Sequence, residues 1–246
     1  MAELETHSVS NPDAHTLAID IGGTGIKMIV LDGAAKPLNE RARTLTPHPS
    51  TPDAVLGVIE TMIQAQPAFD RVSVGFPGVV KRGVIQTAPN LGGDIWHGFA
   101  LEQRIHELAG RPVLAMNDAD LQGFGVIAGS GVELALTLGT GVGAGLYVDG
   151  RLVPNLELGH HPWKKEKTYE ERLSDAELNE IGKKHWSRRV LEMIEQLEPI
   201  FNYDMLYLGG GNAEHIKGVE LPANVKLFSN VEGMTGGVKI WALRPR

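Results

Sequence analysis

Apolar residues run along this chain in short blocks, and three of the blocks stop at a glycine turn. The stretch LAIDIGGTGIKMIVLD at 17–32 holds two of them, parted by Gly22, Gly23, Thr24 and Gly25. Apolar runs of this length bounded by turn residues read as buried strands, which predicts strands at about 16–21 and 26–32. Alternating charge at 38–45 (Asn39, Glu40, Arg41, Arg43) predicts a third strand that faces solvent or forms an edge. Pro52-Asp53 opens a helix to about residue 66, because proline suits the first helical turn. A strand at 71–76 ends at Pro77-Gly78. Residues 79–99 hold turn residues without periodicity, and a loop that long in a compact domain marks a functional segment. A helix at 99–109 and a strand at 112–116 complete the first half.

The second half repeats the opening. After a helix at about 118–129 come an apolar block at 134–138, the turn GTGVG, and another block at 144–148. Asp149-Gly150 is a hairpin turn, and 154–168 reads as irregular. Ser174 and Glu177 have capping-box spacing ahead of a long helix to about 198. Leu178, Ile181, Val190, Ile194 and Leu197 supply its apolar stripe. A strand at 204–208 ends in Gly209, Gly210 and Gly211, after which a helix is expected. The tail at 235–243, apolar on one side, reads as a last helix. Two units of strand, glycine turn and strand thus head two halves of the chain.

Composition narrows the classes. A chain of 246 residues suits one large domain or two lobes. It has no cysteine, so disulfides and thiolate metal sites are excluded. Net charge is −7 with no long basic run, which argues against a nucleic-acid partner. No apolar run is long enough to cross a membrane. The polar first dozen or so residues read as a frayed tail unlike a signal peptide, and a cytoplasmic location is expected.

The candidate chemistry sits at the strand ends. Glycine turns let backbone N–H groups approach an anion closely. Beside the first turn, Thr24 and Lys27 add a hydroxyl and a cation, and Asp20 can hold a metal ion or its water shell; the alternative is an ordinary tight hairpin. Twin units facing one another could hold a phosphate chain between them. Asp118 follows a predicted strand and begins a helix, where it is either a proton acceptor or a helix cap. Lys164, Lys165 and Lys167, like Lys81-Arg82, either guide a polyanion or line a solvated loop.

Three glycine turns, DIGGTG at 20–25, LGTGVGAG at 138–145 and LGGG at 208–211, are joined by PNL at 89–91, NDAD at 117–120 and ELGHH at 157–161. With these motifs the sequence resembles the ROK sugar kinases, from about residue 17 to the end. LTPHPSTP at 45–52, FPGVVKRGVIQTAPN at 76–90, PNLELGH at 154–160 and EERL at 170–173 are similar to the polyphosphate glucokinases within that family. Most ROK enzymes carry a cysteine-rich zinc loop after the Gly-His pair, and the polyphosphate glucokinases resemble this chain in lacking it. Where their pattern continues GHLE, this chain has His161-Pro162.

The resemblance implies an α/β, actin-like (hexokinase or ribonuclease H-like) fold of two lobes with a ligand cleft between them. Residues 1–116 would form the small N-terminal lobe and 117–234 the large one, with a helix at about 235–246 packing back on the first. It implies phosphoryl transfer to the 6-hydroxyl of glucose, with mannose as a second acceptor, from inorganic polyphosphate, ATP or both, with Mg2+. Asp118 would be the catalytic base. Gly78, Asn90, Asn117, Asp118, Glu157, His160 and Glu170 would bind sugar, with Glu171 as the alternative to Glu170. Asp20, Gly22, Gly23, Thr24, Gly25, Lys27, Gly139, Thr140, Gly141, Gly143, Gly209, Gly210 and Gly211 would bind phosphate or nucleotide. Asp20 would also position Mg2+, directly or through water, and no zinc site is expected. A homodimer without nucleic-acid or membrane partners follows from the same resemblance. The alternatives are an ATP-dependent kinase for fructose or an N-acetylhexosamine, and, more remotely, a non-catalytic sugar-sensing regulator. Such regulators carry an N-terminal helix-turn-helix domain, for which the residues ahead of the first strand are expected to be too few.

Overall fold

The computed structural model describes residues 13–242. The frayed tail expected at the N-terminus and residues 243–246 of the last predicted helix lie outside the described residues. One sheet comprises β1 (Thr16–Ile21), β2 (Gly25–Leu31), β3 (Ala42–Leu45), β4 (Arg71–Phe76) and β5 (Val113–Asn117), ordered β3-β2-β1-β4-β5. The other comprises β6 (Val132–Leu138), β7 (Val142–Val148), β8 (Arg151–Val153), β9 (Met205–Gly209) and β10 (Val225–Leu227), ordered β8-β7-β6-β9-β10. Each sheet pairs its first two strands as an antiparallel hairpin and adds its third strand antiparallel at one edge. Each then lays its fourth and fifth strands parallel on the other side. The two sheets therefore share one topology, and the internal repeat is a repeat of fold. The result is the actin-like, two-lobed α/β architecture.

The strands carry the cores. β1 and β4 are buried along their whole length, as apolar strands flanked on both sides must be. Helix α1 (Pro52–Gln64) turns Val55, Leu56, Ile59 and Met62 onto the first sheet, and α2 (Leu101–Ala109) adds Leu101 and Ile105. Helix α3 (Asp118–Val126) packs against strands of both sheets, with Phe124 edge-on to Tyr147 of β7. Its first turn is therefore fixed at the boundary between the lobes. Helices α4 (Tyr169–Leu173), α5 (Asp175–Ile181) and α6 (Lys183–Phe201) cover the second sheet, and the α6 residues Trp186, Val190, Met193 and Ile194 lie in its core. Helices α7 (Asn230–Met234) and α8 (Gly236–Lys239) cross back to α3 and β1.

Several predicted elements differ. The capping box belongs to Thr168 and Glu171 at α4, and Ser174 makes no side-chain cap bond. Glu177 is instead buried against Arg189, their side chains hydrogen-bonded. The single helix expected to about 198 is broken at Gly182, whose φ of 77° ends α5 and lets α6 start afresh. After 209–211 the chain forms only a short 3-10 turn at Ala213–His215. Of the predicted last helix only the short α8 forms among the described residues, and α7, just ahead of it, was not predicted. Residues 79–99 contain a small hairpin (Val80–Lys81 with Val84–Ile85) and a 3-10 turn at Gly93–Trp96.

Candidate active site

The two glycine turns face one another across the boundary between the lobes. Thr24 Oγ1 and Thr140 Oγ1 stand 3.3 Å apart, although 116 positions separate them in sequence. Around this seam lies a cavity of about 420 Å³, a volume in the range of small-molecule sites. Asp20, Gly22, Gly23, Thr24, Gly25 and Lys27 line it from the first lobe, and Gly139, Thr140, Gly141 and Gly143 from the second. Gly78, Asn90, Asn117, Asp118, Glu157, His160 and Glu170 line the same cavity, as do Gly210 and Gly211. Gly209 does not: it ends β9 with the Phe228 ring packed where a Cβ would stand, a place of close packing.

Asp118 lies at the floor of this cavity. The helix-cap alternative for it fails, because Asn117 holds that position. The Asn117 Oδ1 accepts from Ala119 N at 2.9 Å and Asp120 N at 3.1 Å, and its Nδ2 donates to the Gly78 carbonyl at 3.2 Å. The amide of Asn117 is thus committed to the backbone. It fixes α3 to the turn after β4 and leaves Asp118 facing the cleft. The Asp118 carboxylate accepts one bond, from Ala119 N at 2.8 Å. Burial first, then the nearby charge of Asp20 and further that of Glu157 and Asp120, push its pKa up to about 8. Asp120 is buried on the opposite side of the turn, and its pKa is pushed up to about 7, mainly by burial with Glu157 adding to it. Its Oδ2 accepts from Asn155 N at 3.0 Å, and Asn155 Oδ1 accepts from Val80 N at 3.1 Å. That relay ties α3 to the strand of chain that carries Glu157. Glu157 is itself raised by burial and by Glu170, while His160 opposes the shift.

Asp20 and Lys27 are direct partners across β1 and β2, with Lys27 Nζ 2.7 Å from Asp20 Oδ2. One carboxylate oxygen of Asp20 is thereby taken by an ammonium. His160 Nε2 lies 3.4 Å from Glu157 Oε2, so these two form one unit at the cavity wall. His161 is exposed, its ring beside Tyr169. Of the two adjacent acids, Glu170 enters the cleft: its Oε2 accepts from Val142 N at 3.1 Å, and a Cβ on Gly141 would collide with it. Glu171 turns away to cap α4, accepting from Thr168 N at 2.7 Å.

Sequence reasoning missed other residues here. Arg41 and Arg43, read as a solvent-facing edge, also line the cleft, as do Asn212 and Asn230. Asn212 Nδ2 donates to the Gly139 carbonyl at 3.2 Å and so braces the second glycine turn. Its position directly after Gly211 was the available signal. Nothing in the pattern marked Asn230. The Lys164–Lys167 cluster lies away from the cleft, with Lys164 on Glu192 at 3.1 Å and Lys167 by Glu177 at 3.8 Å. Lys81 and Arg82 stand exposed on the small hairpin, also outside it.

Comparison with known proteins agrees with this geometry. A family model described as "ROK family" matches residues 16–169. The polyphosphate glucokinase of Mycobacterium tuberculosis is 33% identical over 206 residues, which cover 80% of this chain and 77% of that protein. The crystal structure of an inorganic polyphosphate/ATP-glucomannokinase from Arthrobacter sp. strain KM superposes with a TM-score of 0.83 at 30% identity, covering 94% of this chain and 99% of that one. The N-acetylmannosamine kinase of Citrobacter koseri is 33% identical over 157 residues, 59% of this chain and 53% of its own length.

Proposed function

The chain belongs to the ROK family, and we infer from that membership and its cleft that it phosphorylates the 6-hydroxyl of glucose, with mannose as second acceptor. Inorganic polyphosphate, ATP or both would supply the phosphoryl group. The observation that carries this reading is the position of Asp118, within one cavity that also holds facing glycine turns and a set of sugar-type carboxylates and amides. Phosphoryl transfer asks a protein mainly for positioning and charge stabilisation, and the residues divide along those lines.

Asp118 would accept a hydrogen bond from the sugar hydroxyl and align its oxygen with the terminal phosphorus. As the new oxygen–phosphorus bond forms, the bond to the bridging oxygen breaks, and the hydroxyl proton passes to Asp118. The leaving phosphate departs with the electron pair of the broken bond. Glu157, His160, Glu170 and Asn90 would hold the remaining hydroxyls, each of which must find a partner when buried. Asn117 would position Asp118 through the helix cap. The N–H groups of 22–25 and 139–143 would cradle the transferring phosphate, and Gly210 and Gly211 the distal part of a nucleotide donor. Asp20 suits Mg2+, a hard cation that takes few carboxylates and keeps its waters; the oxygen not taken by Lys27 would hold it. Mg2+ would there neutralise charge on the donor phosphates. Closure of the lobes over the sugar would exclude water. A cytoplasmic homodimer completes the reading.

The test is an initial-rate comparison of glucose, mannose, fructose and N-acetylmannosamine, each with ATP and with polyphosphate. Glucose is expected to be the best acceptor. A clear preference for N-acetylmannosamine or fructose would replace this reading with that of an ATP-dependent kinase for another hexose, the class to which the Citrobacter relative's name points.

A further inference from the structure

The cleft is walled largely by acids and small residues, yet its lining includes three Lys and Arg side chains, Lys27, Arg41 and Arg43. They are placed by register. Asp20 of β1 pairs directly with Lys27 of β2, and Lys27 pairs directly with Arg43 of β3. Directly opposed residues share a face of the sheet, so an acid, an ammonium and a guanidinium stand in one row across three strands. Arg41 directly precedes β3 and lines the same cavity. The Arg43 guanidinium also reaches back over the phosphate turn: a Cβ on Gly25 would sit 3.0 Å from its Nε. Lys27 is bound to Asp20. Arg41 and Arg43 are exposed, and among the described residues neither has an ion-pair partner. Two free guanidiniums therefore extend from the transfer point to the sheet edge, in a protein whose net charge is −7. Of the other basic groups, Lys164 and Lys167 pair with glutamates, and neither they nor Lys81 and Arg82 line the cleft.

A guanidinium row fits a linear chain of phosphates, because its fork matches phosphate oxygens and stays charged. An adenosine has no anionic oxygens for that fork to pair with. The opposite wall, with Gly210, Gly211, Asn212 and Asn230, offers amides and backbone and no cation. We propose that Arg43 and Arg41 form a subsite for the second and following phosphates of an inorganic polyphosphate, so that this donor leaves the transfer point along the edge strand β3. ATP would share the glycine cradle and diverge toward the other lobe. The inference rests on reading the chain as a kinase that uses polyphosphate.

The experiment measures binding and turnover separately. Wild type and the Arg41→Ala/Arg43→Ala double variant are titrated calorimetrically, without sugar, with long-chain inorganic polyphosphate and with ATP. Loss of two charge-assisted contacts should raise the Kd for polyphosphate about tenfold or more, and raise the ratio of the polyphosphate Kd to the ATP Kd by a similar factor. The salt dependence of polyphosphate binding should flatten in the variant. Arg41→Lys/Arg43→Lys should recover part of the affinity, which a merely unfolded edge would not. Equal weakening for both ligands, or none for either, overturns the subsite. Wild type that binds polyphosphate through these arginines but does not phosphorylate glucose overturns the functional reading and leaves the subsite standing. Wild type that does not bind polyphosphate overturns the subsite and leaves ATP as the donor in the functional reading.

Discussion

At the scale of single residues, the cleft holds carboxylates that burial and mutual repulsion keep protonated longer than usual. Asp118, with a pKa pushed up to about 8, carries its proton in the free protein at neutral pH. A base must first lose that proton, so kcat/KM for glucose should rise with pH through the range 7 to 8 and level off above it. A flat profile across that range would remove Asp118 from the role. Asp118→Asn should lower kcat by about 10²–10⁴-fold while glucose still binds, measured by turnover beside calorimetry. The same group bears on stability with a definite sign. A carboxyl whose pKa is raised by folding contributes stability that is present below its ordinary pKa near 4 and lost as pH climbs through its folded value. Asp118 and Asp120 both have this sign, so the melting temperature should fall between pH 5 and pH 9. Asn at 118 should cancel part of the fall, leaving the variant about 2–4 °C or more above wild type at pH 9 and level with it at pH 4. An inactive variant without that pH-dependent gain would mean that Asp118 is not held in a charge-hostile site. Asp118 was legible from its place after a strand and from the NDAD motif. Its neighbour's capping role was not, because Asn and Asp are both good caps and only the structure says which one bonds.

At the scale of elements, strands were read almost to the residue where apolar runs met glycine, as at β1, β2 and β4. Helices were read less well, because their ends depend on partners distant in sequence. Glu177 looked like a capping residue until Arg189, about two turns into the next helix, claimed it. Arg43 looked solvated because an alternating edge strand gives no hint of what its outer residues overhang. The C-terminal helices make the same point. We assign them energetically to the first lobe, although the chain reaches them from the second. Ser73 of β4 donates to the Gly237 carbonyl at 2.5 Å, Trp241 Nε1 donates to Ser73 Oγ at 2.8 Å, and the Arg71 guanidinium lies 5.2 Å from the centre of the Trp241 ring. Trp241 is buried, so Trp241→Ala should cost about 3–5 kcal/mol in urea unfolding. Trp241→Phe, which keeps a six-membered ring but loses the pyrrole ring and its donor to Ser73, should cost about 1–3 kcal/mol, less than alanine. A loss well under 1 kcal/mol for alanine would show the tail to be merely laid on the surface.

At the scale of the whole molecule, the legible feature was the repeat, and the unreadable one was how its halves meet. Two strand–glycine–strand units announce two sheets of one topology, yet no local pattern brings Thr24 within 3.3 Å of Thr140. That approach is imposed by α3, whose residues join the cores of both lobes while its first turn presents Asp118 to the gap. A ligand held between the lobes by groups from each must therefore stabilise both. Glucose should act in this way, since Asn90 and Gly78 come from the first lobe and Glu157, His160 and Glu170 from the second. By mass action, a ligand at 100 times its Kd adds about 2.7 kcal/mol. In a chain of this size that is a rise of about 5–10 °C in melting temperature. It should appear as a shift of the whole transition, because a sugar bound to one lobe alone would leave the other to melt first. Fructose and N-acetylmannosamine at equal concentration should give a smaller shift, since a site built to pair each hydroxyl leaves its own polar groups unpaired around the wrong sugar. Differential scanning calorimetry with the three sugars, without donor, reads both outcomes at once. A glucose shift confined to part of the transition would place the sugar on a single lobe, and equal shifts for all three sugars would deny the cleft its selectivity.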